Sequence, residues 1–253
     1  MINFFRKIRY DFIEKNKTGK YLKYAIGEIA LVVIGILIAL QINIWNENRK
    51  IEKEELLILN TLFNDLIIAK KASETNIQRE QELTTSLLFL INFHSNNSAL
   101  KKPAELDLIF HRGLWNLGGN SPVLSAYSDY KNTGEIRIIK NKNLRKKFTD
   151  LEVSLNLLKE MTKDRSNVQQ IRIDNILEKD VNFVRLIKSV IPKLNVENGL
   201  PNDYDLILKN SRIRNLLAIK LIMSIDVLTY TKGLDVDILE IMTLIETELS
   251  NEN

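Results

Sequence analysis

The chain has 253 residues, 36 basic and 32 acidic, with two histidines and no cysteine, which excludes disulfides, thiolate catalysis and cysteine-ligated metals. The formal charge of +4 belongs to the first 23 residues: once these and Glu28 are set aside, 29 bases and 29 acids cancel. So neutral a body carries no basic patch with interleaved aromatics, and no nucleic-acid partner is expected.

Residues 1–23 hold seven bases, Arg6, Lys7, Arg9, Lys15, Lys17, Lys20 and Lys23. Phe5, Ile8 and Phe12 share one helical face there, as in a short helix lying in a membrane interface; a frayed basic tail fits the same residues. The stretch Tyr24 to Trp45, YAIGEIALVVIGILIALQINIW, follows. Its 21 steps at about 1.5 Å each span roughly 32 Å, close to the hydrocarbon thickness of about 30 Å. Twelve Leu, Ile and Val residues from Ile26 to Ile44 outweigh Glu28, Gln41 and Asn43, which lie toward the ends where polar groups cost less. Tyr21, Tyr24 and Trp45 are the aromatics expected at the two interfaces. A cleaved signal peptide shares the basic start and the apolar run, but no A-x-A-like site follows Ala39, so the segment reads as an uncleaved transmembrane helix. The bases before it outnumber Arg49, Lys50 and Lys53 after it, which puts the N-terminus in the cytoplasm.

At 100° per residue, Val32, Gly35, Ala39, Ile42, Asn43 and Asn46 fall within about 60° of Glu28. Gly35 and Ala39 form a small-xxx-small pair, and Glu28 and Asn43 find better partners in a neighbouring helix than in lipid. Helix association through Glu28, Gly35, Ala39 and Asn43 is therefore one expectation. Shallow placement, with Glu28 and Asn43 reaching for the headgroups, is the other.

After Trp45 no Pro or Gly occurs until Pro103, and Leu56, Leu59, Phe63 and Leu66, then Leu83, Leu87 and Leu90, recur at three and four. The anchor is expected to run into one long helix, with a fray or kink at the polar KKASETNIQREQE, ended by a loop at SNNSALKKP. A short helix from Ala104 to Trp115 and a loop at NLGGNS come next. Ser121 is read as the cap of a helix with Pro122 at its first position, stopped by Gly134. EIRIIKN alternates like a strand but has no partner strand, so it reads as an extended connector. From Asn143, a plausible cap, Leu144, Phe148, Leu151, Leu155 and Leu158 stripe a second long helix that runs toward Pro192, with a bend expected between Arg165 and Asn182. PKLNVENGLPND is a loop. The last long helix starts near Ser211, striped by Ile213, Leu217, Leu221, Leu228, Leu234, Ile238, Ile241, Ile245 and Leu249, with Gly233 a possible kink.

The expected fold is all-α: one N-terminal transmembrane helix followed by an elongated antiparallel helical bundle with short connecting helices. Its parts are a cytoplasmic basic amphipathic segment (1–23), the transmembrane helix (24–45) and a periplasmic helical domain (46–253). In this layout the connectors from 95 to 142 form a distal cap.

At YAIGEIALVVIGILIALQINIWNENRK, with FFRKIR before it and AYSDYKNTGEIRIIKNKNLRKKF after it, the sequence resembles an uncharacterised single-pass membrane-protein family of Bacteroidota with a helical domain of unknown function. The resemblance spans most of the chain and carries no catalytic residues. It implies the inner membrane of a diderm bacterium, with the domain in the periplasm.

No phosphate loop, G-x-S-x-G, H-E-x-x-H or EF-hand pattern occurs. Asp107 and His111 stand four apart on one face and His94 could approach them, but a polar surface pair is the commoner reading. No metal, cofactor or catalytic residue is expected. The expected role is an envelope scaffold or a subunit of a larger membrane complex. Its partners would be the lipid bilayer and either copies of itself or other membrane proteins. The alternative is a periplasmic sensor acting through the anchor on a cytoplasmic partner.

Overall fold

The computed structural model describes residues 18–95, 102–119, 121–188, 190–191, 193–195 and 200–251. They fall into two compact units, Met1–Leu56 and Leu57–Asn253. The amphipathic segment expected at 1–16 lies outside the described residues.

Helix α1, Thr18–Ile91, opens in the first unit. Every large apolar side chain that is exposed between residues 22 and 45 leaves 45 to 70% of its surface uncovered, and this helix is long and apolar enough to cross a membrane. In water such a surface far exceeds the few hundred Å² of apolar patch that soluble monomers tolerate.

In the second unit, α1 keeps helical geometry through KKASETNIQREQE; the expected fray does not occur, because the polar residues on the inner face of that stretch are themselves buried. Helix α2, Pro103–Trp115, starts on a proline, which gives up only an N–H that the first turn leaves unpaired, and it places Glu105 in its first turn and Arg112 in its last. Helix α3, Ser125–Thr133, begins after Leu124 without a side-chain cap. Ser121 is not its cap: the Ser121 hydroxyl donates to the Leu155 carbonyl at 3.3 Å. Gly134 does end the helix, at φ 83°, in a left-handed conformation that suits glycine. Glu135–Ile138 then forms a 3₁₀ turn in place of the expected extended connector, and it delivers Ile139 to full burial.

Helix α4, Lys142–Val168, is capped by Asn141 and not by Asn143: the Asn141 side chain accepts from the Leu144 N–H at 3.0 Å. All five predicted stripe residues, Leu144 to Leu158, are buried. The expected bend is a π turn, Gln169–Ile173, followed by α5, Asp174–Lys179. The second long helix does not run on to Pro192 as expected: residues 180–182 break it, and α6, Phe183–Lys188, follows separately. Helix α7, Tyr204–Lys209, which periodicity did not reveal, leads to α8, Ser211–Asn251, which continues through Gly233. No strand occurs among the described residues.

Two hydrophobic cores hold this unit. One joins Ile58–Ala69 of α1, Leu144–Leu158 of α4 and Val227–Ile245 of α8, with Leu124, Tyr127 and Ile139. The other joins Leu83, Leu87 and Leu90 of α1 and Phe93 just beyond it, Leu106, Phe110 and Leu114 of α2, Ile173, Ile176, Leu177, Leu186, Tyr204, Ile207 and Leu208, and Ile213–Leu221 of α8. Each buried Leu, Ile or Phe contributes about 1.5–3 kcal/mol. The described connector residues do not gather at one end of this unit as a cap would: α2 packs in the second core while Leu124, Tyr127 and Ile139 pack in the first.

Candidate functional site

Where one core gives way to the other, the three long helices place polar side chains on their inner faces. Along α1 one line of buried positions runs 59, 62, 66, 69, 73, 76, 80, 83, 87 and 90, alternating three and four without a break, with 55, 58, 84 and 86 buried beside it. Ser73, Asn76 and Glu80 occupy the middle of that series. Arg165 and Gln169 do the same at the end of α4, and Lys220 and Ser224 on α8; all seven side chains are at most 8% exposed. A buried polar layer thus separates two greasy cores.

Its centre is an ion pair. Arg165 donates through Nη1 to Glu80 Oε2 at 2.6 Å and through Nη2 to Glu80 Oε1 at 2.7 Å, the two-pronged geometry that makes Arg–carboxylate contacts strong. Arg165 also donates to the Leu117 carbonyl and to Ser224 Oγ, and the Gly119 N–H donates to Glu80 Oε1 at 3.1 Å. The loop after α2 approaches the carboxylate so closely that a Cβ at Gly118 would overlap Glu80 Oε1, and one at Gly119 would overlap the Asn76 side chain. Gly118 further holds φ 78°. The double glycine of NLGGNS is what lets backbone seal the layer.

The second knot surrounds Lys220. Its Nζ donates to the Leu114 carbonyl at 2.9 Å and to Gln169 Oε1 at 2.7 Å. Gln169 Nε2 donates in turn to the Leu114 carbonyl at 2.8 Å and to Asp174 Oδ1 at 2.6 Å. Burial, seconded by the nearby Arg165 charge, pulls the Lys220 ammonium down to about 7 against the smaller opposing pull of Asp174 and Glu80.

The two histidines do not come together with Asp107. His94 Nδ1 lies 3.3 Å from Asp205 Oδ1, while Asp107 is buried, accepts from the Tyr204 hydroxyl and has Arg185 Nε at 3.7 Å. Burial and the Asp107 contact push the Tyr204 phenol well above its ordinary range. His111 lines an open cleft of about 630 Å³ with Glu82, Arg112, Trp115, Gln169 and Asp174, and burial with the Arg112 charge lowers its basicity. Among the described residues no three His, Asp or Glu side chains converge as metal ligands.

In the first unit, Gly35, Ala39 and Asn43 are exposed and Glu28 is half-buried. A Cβ added at Gly35 would meet nothing within 4 Å, so no contact within the chain calls for glycine there. Trp45 is exposed, with the Arg49 guanidinium 5.8 Å from its ring centroid, a cation–π distance. Tyr21 and Tyr24 lie on α1, and their side chains are outside the described residues.

Residues 28–93 match a family of unknown function, DUF6090. The match covers about a quarter of the chain, from Glu28 in the apolar segment through the α1 face of both cores, Glu80 included. It leaves out FFRKIR and the AYSDYKNTGEIRIIKNKNLRKKF segment, so it is narrower than the resemblance read from the sequence. No curated protein and no solved structure matches the chain.

Taken by type alone, the residues of the polar layer look like a solvated face. Carrying the three-and-four count of the flanking leucines across the polar stretches puts Ser73, Asn76, Glu80, Lys220 and Ser224 on the buried line.

Proposed function

We propose that the chain is a single-pass inner-membrane protein of a diderm envelope, with its N-terminus in the cytoplasm and its helical domain in the periplasm. In this reading it serves without catalysis as a self-associating scaffold or as a subunit of a larger membrane complex. The domain is a helical bundle in which α8 runs against α1 and α4. The observation that carries the reading is the exposed apolar stretch, with Gly35, Ala39 and Asn43 open on it and Glu28 half-buried on the same line. In lipid, helices gain from close backbone approach and from hydrogen bonds that lipid cannot offer. A glycine whose neighbourhood is open leaves room for a second helix.

A sensor reading draws on a different observation: Glu80, at the centre of the polar layer, lies on the same helix as the apolar stretch. A change in the layer would then pass along α1 to a cytoplasmic partner, through differential contacts in two states.

Crosslinking of the full chain in intact membranes separates the scaffold reading from its rivals. Replacing Gly35 and Asn43 together with Leu should reduce crosslinked oligomer, the asparagine contributing about 0.6 kcal/mol or more. Leu37→Ala, about 180° from the line, should leave it unchanged. An oligomer that survives the paired replacement would remove the anchor as the assembling element.

A further inference from the structure

Lys220 is 1% exposed and is held by two neutral acceptors, the Leu114 carbonyl and Gln169 Oε1. A neutral amine has two hydrogens to give and an ammonium has three. The two acceptors therefore satisfy the neutral form, and a third N–H finds no protein acceptor among the described residues.

The charged groups around it act in both directions. Arg165 on α4 opposes a second positive charge; Asp174 on α5 and Glu80 on α1 favour one. Yet Glu80 is already bound by both prongs of Arg165, and Asp174 accepts from Gln169. From α2 the facing group is the Leu114 carbonyl near its C-terminal end, whose partial negative charge favours a cation. Burial outweighs these pulls, and the ammonium is brought down to about 7.

The acceptor on the other side of Lys220 is itself in an unusual place. Gln169 is the first residue of the π turn Gln169–Ile173, a one-turn irregularity that can revert to α-helix by shifting register, and such turns occur often at functional sites. Its side chain ties α8, the end of α2 and the start of α5 into one knot.

We propose that Lys220, Gln169 and the Leu114 carbonyl form a proton-operated latch on the polar layer, closed around the neutral amine and opened when the amine takes up a proton. The latch concerns the domain alone and holds whether or not the anchor self-associates.

The sign follows from the basicity of the two states. In the closed latch Lys220 titrates near 7, and in an opened, hydrated one near the ordinary lysine value of 10.5. Between those limits opening takes up one proton, so it becomes easier by up to about tenfold for each unit the pH falls. Below about 7 the lysine is charged in both states and the dependence levels off.

Two measurements on the full chain in detergent micelles test this. With lysine labelled at ¹³Cε, one resonance should titrate near neutral pH, and it should vanish in Lys220→Met. If no lysine resonance moves below about pH 9, the latch is overturned, and this result stands even if the variant does not fold. Hydrogen exchange, corrected for its intrinsic pH dependence, should show peptides spanning 114–119 and 165–177 gaining protection from pH 7 to 9. A lysine that titrates near 7 with protection unchanged over that range would also overturn the proposal, since it would leave an unusual amine that operates nothing.

Discussion

Arg165 and Glu80 are 2% and 1% exposed, so each is the other's countercharge, with the Leu117 carbonyl, Ser224 and the Gly119 N–H adding neutral hydrogen bonds. Taking both out of water is expensive, and their attraction does little more than offset that cost; removing one partner strands the other. Arg165→Met alone should therefore lower unfolding stability by about 3–5 kcal/mol, whereas Glu80→Leu with Arg165→Met should recover most of the loss. Urea unfolding of the full chain in micelles, read by circular dichroism, checks both. A single variant as stable as wild type would mean that the guanidinium contributes little. Gly118→Ala belongs beside them. At φ 78° a non-glycine residue costs about 1–2 kcal/mol, and the new methyl would press on the same carboxylate. Its loss should shrink when Glu80 is already Leu, a coupling that a double-mutant cycle reads directly.

For the helices, the apolar stripes were legible in the main: Leu144 to Leu158 are buried as their spacing predicts, and so are Ile213, Leu217, Leu221, Leu234, Ile238, Ile241 and Ile245, whereas Leu56, Phe63, Leu228 and Leu249 are only partly buried and Ile58, Leu62 and Val227 hold core positions beside them. The polar segments were legible only in part. A carboxylate and a guanidinium look like surface residues one at a time, and only their phase relative to the leucines marks them as buried. The connectors were the least readable, because there a single hydrogen bond sets a boundary. Asn141 and Asn143 are equally good caps by type, and the Leu144 N–H donates to Asn141 alone of the two. Gly233 shows the reverse case. It read as a kink, yet α8 is helical on both sides of it and a Cβ there would touch nothing within 4 Å. Gly233→Ala should raise stability by about 0.5–1 kcal/mol, through helix propensity and a less varied unfolded chain. A lower melting temperature would show that the glycine conformation is needed.

For the whole molecule, the charge distribution makes the testable statement: seven bases precede the apolar stretch, and the rest of the chain is nearly neutral. A reporter active only in the periplasm, fused at the C-terminus of the full chain, should give signal, and a cytoplasm-only reporter should not. The opposite result would reverse the proposed orientation and leave the domain's internal chemistry untouched. Chemistry of that kind is where a sequence of leucine stripes is most exposed to error during folding. Three helices whose apolar residues return every seven positions could slide past one another by two turns and still set leucine against leucine, at little loss in buried area. The Glu80–Arg165 pair removes that ambiguity between α1 and α4 and the Lys220–Gln169 hydrogen bond removes it for α8, because a slipped alignment would leave these buried polar groups unaccompanied. The layer is a ruler as well as a joint: it lets a repetitive chain count, and only one alignment of α1, α4 and α8 gives the right number.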